Sequence, residues 1–146
     1  MKKNSSPPFI GRQNELNDLQ LLFKKKTASL VVIQGRRRIG KSRLIQEFGK
    51  THRFYQFTGF PPAPTTTAQS QRDEFTHQLS AALALPNVTA DDWSKVFLLL
   101  AKDVGSGRVI ILFDEISWMG SKDPNFLGKL KTAWDIYFKT NPQLIL

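Results

Sequence analysis

The chain has 146 residues, a formal net charge of +9 from 21 Lys and Arg against 12 Asp and Glu, 40% hydrophobic residues and no cysteine. That length holds one domain or part of one, with apolar mass enough for a core. The absence of cysteine excludes disulfides, thiolate metal sites and cysteine nucleophiles, and no apolar run approaches the about 18 residues of a membrane-spanning helix. The basic balance favours polyanions in general and leaves a nucleic-acid partner open, although the chain has neither a zinc-finger spacing nor an RNA-recognition aromatic pair.

Residues 1–8 read as a flexible tail. They are basic but lack the apolar core of a signal peptide, so a soluble, cytoplasmic protein with no membrane partner is expected. A helix over 13–26 follows, with Leu16, Leu19, Leu22 and Phe23 on one face. Lys24-Lys25-Lys26 closes it, where cations suit the helix dipole. Ser29-Leu30-Val31-Val32-Ile33-Gln34 reads as a buried strand. The octet Gly35-Arg36-Arg37-Arg38-Ile39-Gly40-Lys41-Ser42 comes next, and Leu44, Ile45 and Phe48 then recur at helical spacing.

Strand, glycine loop and helix in that order are what phosphate binding requires. The octet fits the Walker A pattern G-x-x-x-x-G-K-[ST]. Glycines let successive N–H groups curl around one anion. The helix adds its positive N-terminal end. Residues 35–43, Arg43 included, are the candidate nucleotide-binding segment. Lys41 is placed on the β- and γ-phosphates and Ser42 on Mg²⁺.

Farther along, Arg53-Phe54-Tyr55-Gln56-Phe57-Thr58 reads as a strand, and residues 61–67, rich in proline and threonine, as a surface loop. A helix over 68–83 is expected to bury Phe75, Leu79, Ala82 and Leu83 and to be ended by Pro86. In the next helix Trp93, Val96, Phe97, Leu100, Ala101 and Val104 form a core face, capped by Asp91 or Asp92. Val109-Ile110-Ile111-Leu112-Phe113 is an apolar strand. Asp123-Pro124 opens a helix with Leu127, Leu130, Trp134, Tyr137 and Phe138 on one side, and Gln143-Leu144-Ile145-Leu146 begins another strand. Strands alternating with helices predict an α/β fold with a doubly wound, mostly parallel sheet.

Asp114-Glu115 ends the second apolar strand. Ligands of open α/β sheets bind beyond that edge, so both motifs should share one rim in the Walker A and Walker B arrangement. Asp114 is the second candidate metal residue, and Glu115 the base that polarises the attacking water. His52 and His77 have no partner at metal spacing and read as surface or packing residues. Trp118 reads as core or interface.

Phe9-Ile10-Gly11-Arg12 with Glu15-Leu16, the arginine-filled loop, the acidic strand end and Trp118 together resemble the archaeal-type ATPase family, in the AAA+/STAND-like branch of P-loop NTPases. The resemblance runs from about Phe9 to Leu146 and marks 9–146 as the ATPase domain. It implies Phe9, Ile10 and Gly11 near the adenine, ATP and Mg²⁺ as cofactors, and strand order 5-1-4-3-2, with the strand after Asp-Glu inserted beside the phosphate-loop strand. Its relatives carry a sensor residue, a lid and further domains beyond the point matching Leu146. The chain is therefore expected to be an N-terminal part whose core is truncated, with self-association around Leu144–Leu146 and the neighbouring strands. ATP hydrolysis driving a conformational cycle is the leading reading. A nucleotide-binding remnant without turnover, a P-loop small-molecule kinase and a basic nucleic-acid-binding module are the alternatives. The lack of an Asn-Lys-x-Asp motif favours adenine over guanine.

Overall fold

The computed structural model describes residues 13–33 and 40–146. The expected tail, Phe9–Arg12 and residues 34–39 of the phosphate loop and its strand lie outside the described residues. In chain order the elements are α1 (Gln13–Gln20), α2 (Lys41–Gly49), β1 (Phe54–Thr58), α3 (Ala68–Leu83), α4 (Trp93–Asp103), β2 (Val109–Asp114), α5 (Ile116–Met119), α6 (Phe126–Ile136) and β3 (Leu144–Ile145).

The strands form a parallel sheet in the order β1-β2-β3. Its central strand shows why. Val109 and Ile111 point into one core, Ile110 into a second, and all three are buried. A strand with apolar side chains on both faces needs cover on both. α1 and α2 supply it on one side through Leu16, Leu19, Leu44, Ile45 and Phe48. α3, α4 and α6 supply it on the other. The core that Val109 and Ile111 enter, under α3, α4 and α6, is largely aromatic. Phe57 stacks on Phe75 at 4.5 Å between centroids, Phe75 meets Trp93 edge-on at 5.5 Å, and Trp93 meets Phe126 edge-on at 4.8 Å, the offset and T-shaped arrangements that ring quadrupoles favour.

β3 is paired on both sides. Val109 and Ile110 of β2 match Leu144 and Ile145. On the other side Ser29 bridges Ile145 in parallel, through Ser29 N to Leu144 O (3.0 Å), Leu146 N to Ser29 O (2.9 Å) and Val31 N to Leu146 O (2.9 Å). The segment leading to the phosphate loop therefore sits next to β3, with β2 beyond it.

Several expectations need correction. The first helix stops at Gln20 and continues only as a 3₁₀ turn over Leu21–Lys24. There the Phe23 carbonyl accepts from Arg108 Nη2 (3.0 Å), and its ring stacks on Phe48 (4.8 Å) and His52 (4.3 Å), contacts a longer helix would break. Residues 29–33 are not a buried strand, because Leu30 and Val32 are 47% and 73% exposed while Val31 and Ile33 pack inward. At the end of the chain Leu144 and Ile145 are buried, and Leu146 is partly buried against the core. α3 does span the expected 68–83, and Ala84, left-handed (φ 54°), caps it two residues before Pro86. Its Ala82 is exposed and Gln71 is buried. α6 is rotated from the expected face: Phe126, Leu130 and Ala133 are buried, while Leu127 is 67% exposed. Among the described residues no helix is long and apolar enough to cross a membrane.

Candidate functional site

The site lies where β1 and β2 end. Their register pairs Thr58 with Asp114, and Gly59 N extends the ladder to Asp114 O at 3.1 Å. Gly40 precedes α2 in the left-handed conformation (φ 83°), which glycine adopts without a Cβ penalty. Its carbonyl accepts the first helical bond, from Leu44 N (2.9 Å). No side chain caps α2, so the first-turn amides keep the anion-seeking polarity of a helix start. Lys41, Ser42 and Arg43 occupy that turn, each half-buried.

Ser42 Oγ donates to Asp114 Oδ2 at 2.7 Å. This contact joins the start of α2 to the end of β2 and brings two of the sequence-predicted residues together. Asp114 Oδ1 accepts from Glu115 N at 3.0 Å, so both carboxylate oxygens are held. Glu115 is left-handed (φ 54°, ψ 48°), a conformation costing a non-glycine residue about 1–2 kcal/mol. It turns the chain abruptly from β2 into α5, and its carbonyl accepts from Trp118 N (3.0 Å) and Met119 N (3.1 Å). Glu115 is half-buried at this turn. Gly59 packs against the same turn, where an added Cβ would lie 2.6 Å from Met119 N and 2.8 Å from Glu115 O.

Three groups escaped sequence reasoning. Gln56 Nε2 donates to Asp114 Oδ2 (3.3 Å) and Thr58 Oγ1 (3.4 Å), and Gln56 Oε1 accepts from Gln46 Nε2 (2.8 Å). From α3, Gln78 takes both backbone groups of Thr58, Oε1 accepting from Thr58 N (2.8 Å) and Nε2 donating to Thr58 O (2.9 Å). Gln71 treats Phe60 the same way, at 3.3 and 2.9 Å. The available signal was Gln56 itself, an amide facing the α2 side of an otherwise aromatic strand.

Gly35, Arg36, Arg37, Arg38 and Ile39, together with Phe9, Ile10 and Gly11, lie outside the described residues. Among the described residues no cluster of three or more His, Cys, Asp or Glu could hold a metal alone. The nearest oxygen donors of the right kind are Ser42 and Asp114.

A family model described as an ATPase domain predominantly from Archaea matches residues 9–143. The chain belongs to this archaeal ATPase family. Family membership spans both the octet and the acidic strand end. An uncharacterised ATP-binding protein of Methanocaldococcus jannaschii is 40% identical to the chain over 40 residues, 27% of this chain and 68% of that protein. No solved structure matches the chain.

Proposed function

We propose that residues 9–146 form an ATPase domain that binds ATP with Mg²⁺ and hydrolyses it to ADP and phosphate, driving or switching a conformational change. The observation that carries this reading is the 2.7 Å contact between Ser42 and Asp114. A hydroxyl from the start of α2 and a carboxylate from the end of β2 are the hard oxygen donors that Mg²⁺ takes alongside substrate phosphates. Family membership and the ATP-binding relative support the choice of ATP.

In this reading the α2 amides and the loop over residues 35–40 cradle the β- and γ-phosphates. Lys41 adds a cation there, and Arg36, Arg37, Arg38 and Arg43 keep the surroundings positive. Phe9, Ile10 and Gly11 border the adenine. Ser42 and Asp114 would hold Mg²⁺, which neutralises phosphate charge when bound. Glu115 orients a water toward the γ-phosphate and accepts its proton.

Calorimetric titration with ATP, with and without Mg²⁺, tests the binding half. Lys41→Ala should weaken binding at least tenfold. Glu115→Gln should keep binding within a few-fold and slow phosphate release by about 10²–10⁴. If both variants behave like the wild type, the assignment fails.

A further inference from the structure

The Asp114 carboxylate is held by more than Ser42. Ser42 and Gln46 stand four residues apart on α2 and so share one face. Gln56 pairs in register with Leu112, and Thr58 with Asp114, so Gln56 and Asp114 lie diagonally across the β1–β2 ladder on the side that α2 covers. The four polar side chains form one chain: Gln46 Nε2 to Gln56 Oε1 at 2.8 Å, Gln56 Nε2 to Asp114 Oδ2 at 3.3 Å, and Ser42 Oγ to the same oxygen at 2.7 Å.

Chemistry fixes the direction of this chain. An ionised carboxylate only accepts, so Gln56 must turn its NH₂ toward Asp114. Its carbonyl then faces Gln46, which must donate. A reversed Gln56 amide would set its carbonyl against the carboxylate and lose that contact. Asp114 therefore selects the Gln56 orientation, and Gln46, donating to the Gln56 carbonyl, helps hold the side chain there.

We propose that Gln56, held by Gln46, is a positioning residue that aims the Asp114 carboxylate for metal-assisted nucleotide binding. The inference rests on the ATP–Mg²⁺ reading above. Gln56 acts through Asp114 and touches neither nucleotide nor metal. Without its donor, Oδ2 keeps only the Ser42 hydroxyl as a side-chain restraint among the described residues, and Ser42 is itself needed elsewhere when metal binds.

The test compares ATP affinity in EDTA with affinity in Mg²⁺ for the wild type, Gln56→Met and Gln46→Met. Methionine keeps side-chain length and removes the amide. Gln56→Met should lose about threefold to tenfold of the affinity gained from Mg²⁺, while affinity in EDTA moves less than about twofold. Gln46→Met, an exposed substitution that leaves the strand intact, should lose a smaller part. The double variant should be no worse than Gln56→Met, because Gln46 works only through Gln56. Full retention of the Mg²⁺ gain in both single variants overturns the proposal. Equal losses in EDTA and Mg²⁺ also overturn it, because they mark a packing role. A wild type that binds no ATP under either condition removes the nucleotide reading itself, a result distinct from the other two.

Discussion

Glu115 carries two demands at one position. The proposed base role needs its carboxylate at the strand end, and its backbone must turn sharply enough to start α5, which it does at φ 54°. Gly59 is the neighbour that permits the turn, since any side chain there would press on Met119 N and Glu115 O. Gly59→Ala should therefore cost about 1–3 kcal/mol, seen as a lower denaturant midpoint. Because the displaced groups belong to the Glu115 turn, ATP turnover should fall more than ATP affinity, and single-turnover kinetics beside calorimetry would separate the two. Glu115 was legible in the sequence as an acidic residue after an apolar strand. The glycine it depends on was not, because the two meet only when β1 and β2 pair.

At the scale of elements, the long amphipathic helices were the most legible. All five periodic residues of α4 and Val104 at its C-terminal cap are buried, and its N-terminal cap is Asp92, whose carboxylate accepts from Ser94 N at 2.8 Å. That hydrogen bond, helped by Lys129 and opposed by partial burial, holds the Asp92 carboxyl below its ordinary 3.8. A carboxyl depressed in the fold stabilises it above the unfolded value of about 3.9, and that stabilisation disappears as pH falls through the folded value. Asp92→Ala should cost about 1 kcal/mol at neutral pH. Asp92→Asn keeps an acceptor for Ser94 but cannot titrate, so its stability should decline less steeply than the wild type below about pH 4 in thermal melts. Asp91 and Asp135 are depressed too, by Lys95 and Lys131, so the difference between variant and wild type isolates Asp92. Shorter elements were harder to read. The face of α6 was misjudged because Leu127 and Tyr137 match an apolar pattern, while the packing that decides is Phe126 against Trp93 and Phe97. The amide clamps of Gln71 and Gln78 have no periodicity to betray them, yet they occupy backbone groups at the end of β1 and just beyond it.

For the whole molecule, sheet order was anticipated by family resemblance and not by periodicity, which is blind to strand order. β3 joins residues 29–31 to β2, and Ile145 is the buried wedge between them, 4% exposed. Ile145→Ala should cost about 2–5 kcal/mol through the cavity it leaves. It should also weaken ATP binding, since the segment that leads into the phosphate loop loses its anchor. A lowered melting temperature with unchanged affinity would show that the loop needs no such support. The same pairing sets an order of events. α2 is local and can form within microseconds. Ser29 and Ile145 stand near opposite ends of the described chain, and closing so long a loop is the slow, entropy-limited step of such topologies. In the proposed ATP-binding reading, nucleotide capture during refolding should follow the slow pairing of residues 29–31 with β3, and so report when that pairing is complete.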